Sequence, residues 1–171
     1  VDDSENLKLE KLKDILISET AQGKRTIVYT YYTSDGINDY LHKELTKEGF
    51  KVTVLNKNSD YSLSCDGSTE KVGKISREAF INKEVSKGTE VLIVNPTLVQ
   101  TGLNLIEFSS IVYYQMSYQV YTVRQADRRT WRIGQTNQVN IYYLYYADSF
   151  QAEIASLMAT KVIASQAIEG E

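Results

Sequence analysis

An open, mainly parallel α/β sheet flanked by helices on both faces is the fold this sequence predicts, and three observations predict it. Runs of β-branched and aromatic residues alternate with helix-spaced amphipathic stretches along most of the 171 residues, which is the order that builds a parallel sheet. One run, Glu90-Val91-Leu92-Ile93-Val94, is almost continuously apolar, as strands buried on both faces are. No internal repeat or low-complexity linker divides the chain, and its length suits one domain. The division expected within that single domain is an amphipathic helix over residues 1–22, a core over 24–161 and a tail of the last helix over 162–171.

In order, Leu7, Leu9, Leu12, Ile15 and Leu16 recur with helical spacing between lysines and acids, so 6–21 reads as an amphipathic helix that Gly23 ends. Thr26 to Tyr32 is a β-branched and aromatic run and therefore a strand. Thr33, Ser34 and Asp35 offer capping side chains to a helix over 36–47, which Gly49 closes before a strand at 51–55. Asn56 to Thr69 is polar and reads as a loop, with Asp66-Gly67-Ser68-Thr69 as its turn and helix start. A helix over 71–86 is then expected to turn Ile75, Ala79, Phe80 and Val85 inward. The apolar strand at 90–94 follows, then a glycine-containing connection over 95–105 and a strand at 110–115. An arginine-rich helix, a strand at 138–145 and a last helix over 149–167 complete the expectation.

The arginine-rich stretch is the strongest chemical signal. Arg124, Arg128, Arg129 and Arg132 fall within nine positions, and the only other arginines are Arg25 and Arg77. In a helix Gln125, Arg128, Arg129 and Arg132 stand at i, i+3, i+4 and i+7 and share a face. Guanidinium groups present a planar fork that fits phosphate oxygens two at a time. A solvated basic face is the alternative, but Asp127 is the one acid in the run and Trp131, Ile133 and Gly134 look like packing and a helix stop.

Composition narrows the rest. Hydrophobic content of 42% and charged content of 24% are those of a soluble globular protein, and no segment has the apolar length of a membrane span. The amino terminus is acidic where a secretory signal would be basic and then apolar, and a start at Val1 suggests a piece of something longer. Cys65 and His42, the only cysteine and histidine, make neither an internal disulfide nor a zinc cluster, which points to a cytoplasmic protein without a metal site of its own. With a net charge of −3, contact with nucleic acid must come from a local patch. Most of the thirteen tyrosines lie in apolar runs and read as structural, with base stacking open to a few.

In open α/β sheets ligands gather beyond the carboxyl ends of the strands, so the loops after Tyr32, Leu55, Val94 and Gln115 form the candidate working edge. Thr33 and Ser34, Ser68 and Thr69, and Thr101 with Gly102 are placed to offer hydroxyls or close backbone to a phosphate, or simply to cap helices. Gly67 to Ile75 imitates a phosphate-binding loop but has one residue too many between its glycines and Ile75 where magnesium needs Ser or Thr. The apparatus that holds a triphosphate is therefore expected on another domain.

With these residues named, the chain resembles the carboxyl-terminal lobe of superfamily 2 helicase-like ATPases, Swi/Snf type. Gln125-Ala126-Asp127-Arg128-Arg129-Thr130-Trp131-Arg132-Ile133-Gly134-Gln135 is similar to that family's sixth motif, with Arg128 and Trp131 where an acid and a histidine are usual. Thr101 to Leu105 is similar to the fifth motif, with Val99-Gln100 replacing its glycine pair. Asp66 to Thr69 with Arg77 and Phe80 resembles the D-G-S-T segment, and Thr26 to Tyr32 the fourth-motif strand. The resemblance implies a RecA-like lobe of a DNA-stimulated helicase or translocase. ATP with Mg2+ would be held mainly by an amino-terminal partner lobe. It further implies Arg129 and Arg132 as arginine fingers, Gln125 as the link to nucleotide state, and Gly102 and Asn104 shaping the loop between cleft and nucleic-acid track. Thr33, Ser34, Ser68, Thr69 and Thr101 would touch the backbone of DNA, duplex and without sequence preference. A non-catalytic nucleic-acid or protein-binding module of the same fold is the alternative that the net charge and Val99-Gln100 leave open.

Overall fold

A computed structural model describes residues 3–31, 36–57, 60–99, 103–115 and 139–144 of the chain. Helix α1 (Asp3–Ala21) leads into strand β1 (Thr26–Tyr29), then α2 (Ile37–Lys47) and β2 (Val52–Leu55). A hairpin of β3 (Tyr61–Leu63) and β4 (Thr69–Lys71) follows, then a 3-10 turn (Lys74–Ser76), α3 (Arg77–Ser86), β5 (Val91–Val94), the short α4 (Pro96–Val99), β6 (Ser110–Tyr113) and β7 (Asn140–Tyr143). One sheet of seven strands in the order β4-β3-β2-β5-β1-β6-β7 results. β2, β5, β1, β6 and β7 run parallel, and only the hairpin is antiparallel.

Every residue of β1, β2, β5 and β6 is buried, because both faces of the sheet are covered. On one face α1 and α2 set Leu12, Leu16, Leu41 and Leu45 against Val28, Val54, Ile93 and Val112. On the other, Phe80 and Ile81 of α3 and Leu98 and Val99 of α4 pack on Ile27, Leu55, Leu92 and Ile111. Tyr29, Tyr113 and Tyr143 close that second face as a row across β1, β6 and β7. Their ring centroids lie 5.1 and 5.0 Å apart, the second pair stacked. Tyr29 and Tyr113 are buried, so both serve the core and neither offers a ring to a base.

Several sequence expectations are corrected. The polar stretch 56–69 is not all loop: β3 occupies 61–63 and pairs with β2, Leu63 facing Val54. Thr69 opens β4 rather than a helix, and α3 begins at Arg77, after the 3-10 turn. Charged, exposed Thr69-Glu70-Lys71 gives no apolar alternation, since it is an edge strand of the kind that polar side chains protect from further pairing. Ile75 is 99% exposed and Ala79 is exposed, whereas α3 turns Arg77, Phe80, Ile81 and Glu84 inward. Leu7 is exposed too, outside the α1 stripe. The cap position of α2 is Gly36, at φ 75° and without a side-chain cap bond. The expected last helix lies outside the described residues.

Candidate functional site

The parallel strands end together at Tyr29, Leu55, Val94, Tyr113 and Tyr143, and the chain leaving two neighbours of that row goes to opposite faces. After β1 it enters α2 on one face; after β5 it enters α4 on the other. Where outgoing connections diverge, a crevice opens at the carboxyl ends. A cavity of about 610 Å³ lies here, lined among others by Gly36, Asn38, Asn56, Lys57, Tyr61 and Asn95.

Carboxamides tie this rim together. Thr30 Oγ1 donates to Asn38 Oδ1 at 2.7 Å, and Asn38 Nδ2 donates to Asn56 Oδ1 at 3.1 Å. Asn56 donates from its amide to Ser62 Oγ at 2.9 Å and from Nδ2 to the Tyr61 carbonyl at 2.9 Å, which seats β3 beside the end of β2. Asn95 Nδ2 reaches the Tyr31 carbonyl at 3.3 Å, while its Oδ1 accepts from the amide and hydroxyl of Thr97. Gln115 Oε1 accepts from the Tyr31 amide at 2.8 Å. Neutral side chains thus satisfy strand-end groups that have no ladder partner.

Of the residues singled out from sequence, Ser68, Thr69 and Asn104 are described. Gln125, Arg129, Arg132, Thr33, Ser34, Thr101 and Gly102 lie outside the described residues. Ser68 and Thr69 do not join the rim. Since Val54 faces Leu63 and Leu63 faces Thr69, the turn over 64–68 hangs past Leu63 toward the amino end of β2. Both residues are exposed. The Ser68 hydroxyl and amide both donate to Asp66 Oδ1, at 2.6 and 2.9 Å. Lys87 and these donors hold the Asp66 carboxyl well below the usual carboxylate range. Asn104 is exposed, and its Oδ1 accepts from the Ile106 amide at 3.3 Å on the descent from the rim to β6. Val99, at the first of the two positions where the resemblance has glycine, is fully buried in the core.

Sequence reasoning missed the anchor of the hairpin turn. Glu84, 1% exposed, accepts from the Cys65 amide at 2.6 Å, Ser64 Oγ at 2.8 Å and Thr53 Oγ1 at 2.9 Å, with Lys87 Nζ at 3.3 Å. Burial alone would raise this carboxyl, but the four donors together hold it below its ordinary value, so it stays charged. Arg77 begins the same inward stripe at 8% exposure, and its Nε has no hydrogen-bond partner among the described residues. Among the described residues no group of three His, Cys, Asp or Glu could hold a metal ion, and no helix is long and apolar enough to cross a membrane.

Comparison with known proteins places this architecture. Residues 7–134 match the family model of the helicase conserved C-terminal domain. The chain is 25% identical over 147 residues to the DNA repair and recombination protein RAD26 of Saccharomyces cerevisiae, covering 86% of this chain and 13% of that one. It is 24% identical over 169 residues to the CHD3-type chromatin-remodeling factor PICKLE of Arabidopsis thaliana, covering 96% of this chain and 11% of the relative. The crystal structure of the C-terminal part of the Fun30 ATPase domain superposes with a TM-score of 0.71 at 25% identity, covering 88% of this chain and 44% of that one. The chain therefore spans a small fraction of the relatives it matches.

Proposed function

The chain belongs to the helicase conserved C-terminal domain family, with Swi/Snf-type ATP-dependent helicases as homologues, and on that premise we propose that it is the second RecA-like lobe of a DNA-stimulated, ATP-driven translocase. The observation that carries the reading is the likeness to the C-terminal part of the Fun30 ATPase domain, of which this chain covers 44%. In this reading the lobe shares its ATP site with a second lobe, in keeping with the match to the C-terminal part of a larger ATPase domain. ATP and Mg2+ would be held mainly there, and this chain alone would not hydrolyse ATP.

In this reading Arg129 and Arg132 stabilise the charge that develops on the transferred phosphoryl group, and Gln125 links nucleotide state to the position of the lobe. Phosphoryl transfer depends mostly on such charge stabilisation, and a supplied arginine can be worth about 10³–10⁵ in rate. Gly102 and Asn104 shape the loop between the nucleotide cleft and the DNA track. Thr33, Ser34, Thr101, Ser68 and Thr69 contact the DNA backbone. Such contacts carry no sequence preference and weaken with salt. Because the Ser68 hydroxyl donates to Asp66, Thr69 is the better hydroxyl donor of that pair.

The test is Arg129→Ala and Arg132→Ala in the full-length protein, read as DNA-stimulated ATP hydrolysis. A loss of about 10³-fold or more is expected, and a rate within about twofold of wild type contradicts the arginine role. Hydrolysis by the 171-residue chain alone would contradict the shared site.

A further inference from the structure

Tyr61 is the one exposed aromatic residue among those described, at 59% exposure, and it is tied in place. It opens β3, where its carbonyl accepts from Asn56 Nδ2 at 2.9 Å. Across the hairpin its register partner is Lys71, whose Nζ lies 5.3 Å from the ring centroid, within reach of a cation–π contact. That contact orients the ring, and the exposure leaves ring surface uncovered. Tyr61 also lines the rim cavity of about 610 Å³.

The cavity suits a base better than a phosphate. Lys57 lines it, but so do Asp39 and Asp60, and carboxylates repel phosphate oxygens. What remains fits a flat, uncharged heterocycle. Leu55 and Leu98 give the wall apolar surface. A carboxamide nitrogen carries two N–H groups, and those of Asn56 and Asn95 each use one on a backbone carbonyl. The second is left for a carbonyl or ring nitrogen of a base, while a carboxylate accepts from an exocyclic amino group. The volume lies within the range of ligand pockets, about 300–1,000 Å³. We propose that Tyr61 and the rim cavity receive an unpaired nucleobase stacked on the Tyr61 ring, so that this lobe engages an opened or single strand of DNA as well as duplex. Such stacking is indifferent to sequence, because every base has a π-face. The site rests on the DNA reading above.

Fluorescence anisotropy with the full-length protein tests it on three labelled probes: a duplex, a single-stranded oligonucleotide, and the same strand with abasic residues. Tyr61→Ala is expected to weaken binding of the base-bearing strand about tenfold and to leave duplex binding within about twofold of wild type. Tyr61→Phe keeps the ring and should stay within about twofold on every probe. On the abasic strand wild type and Tyr61→Ala should bind alike, because removing the base and removing the ring delete the same contact. Equal affinity of wild type and Tyr61→Ala for the base-bearing strand overturns the proposal. So does an equal loss on all three probes, which would mark a structural role. A free deoxynucleoside that binds as tightly as the strand overturns DNA as the source of the base. If the wild type binds none of the probes, the DNA reading fails and this site with it; if it binds duplex and Tyr61→Ala changes nothing, this site alone fails.

Discussion

Replacing Glu84 by alanine should cost this chain about 3 kcal/mol of stability, near the lower bound for removing one partner of a buried charge network. Of its donors, Thr53 keeps Thr89 at 2.8 Å, and Ser64 and Lys87 keep each other at 3.1 Å. The Cys65 amide is left without its 2.6 Å acceptor, and an orphaned donor of that sort costs about 1–3 kcal/mol. The space vacated beneath α3 adds to this. Glu84→Gln keeps the volume and one acceptor, so about half the loss is expected. Urea unfolding followed by far-ultraviolet circular dichroism measures both, and the alanine variant should melt roughly 6–12 °C lower. Because the folded carboxyl is held below its unfolded value, its contribution is complete above the unfolded pKa of about 4.3 and fades as pH falls through the folded value. The gap between wild type and Glu84→Gln should therefore narrow on acidification through that window. A loss under about 1 kcal/mol for alanine, or a gap that widens in acid, would refute the reasoning.

Val99→Gly should destabilise by about 2–3 kcal/mol, since it deletes a fully buried side chain and adds backbone freedom; thermal melting decides it, and an unchanged midpoint would mean that the core closes over the space. In an ultraviolet titration of the phenols, one tyrosine should ionise near 12 and vanish from the curve in Tyr142→Phe. Because the folded value is raised, its contribution is complete below the unfolded pKa of about 10 and is lost as pH rises toward the folded one.

The five parallel strands were legible because each carries a β-branched or aromatic run, four of them buried throughout, and α1 and α2 because their apolar spacing is regular. The hairpin was not. Tyr61-Ser62-Leu63 is too short to show a period, and Thr69-Glu70-Lys71 carries the polar side chains that an edge requires. That omission displaced Ser68 and Thr69, which a loop reading put at the rim and the β2–β3–β4 register puts at the far end of the sheet. The rim amides were hidden because Asn reads as turn chemistry, yet a positional signal existed: Asn56 and Asn95 each follow directly on the last residue of a strand. Glu84 was marked as well, seven positions after Arg77 on the stripe with Phe80 and Ile81, a carboxylate where the helical period demands an inward residue. The arginine segment lies outside the described residues.

The buried carboxylates are not scattered, and their placement gives the lobe its division of labour. Among the described residues the central strands are held by ladders on both sides, whereas β4 and β7 at the ends of the row have one, so these ends gain most from a further tie. Glu19, on the α1 face, fastens β7; Glu84, on the α3 face, fastens the hairpin that carries β3 and β4. Both sit toward the amino ends of the parallel strands, bonded to Ser110 and Asn140 in one case and to Thr53 and Ser64 in the other. At the opposite rim the corresponding ties are neutral, made by Asn38, Asn56, Asn95 and Gln115. Weakening one tie of each kind separates the two roles. Glu19→Gln should loosen β7, whereas Asn56→Ala should weaken the seat of β3 and leave amide hydrogen exchange in β7 unchanged. If Asn56→Ala speeds amide hydrogen exchange in β7 as much as Glu19→Gln does, the edges and the rim are one cooperative unit and the division fails.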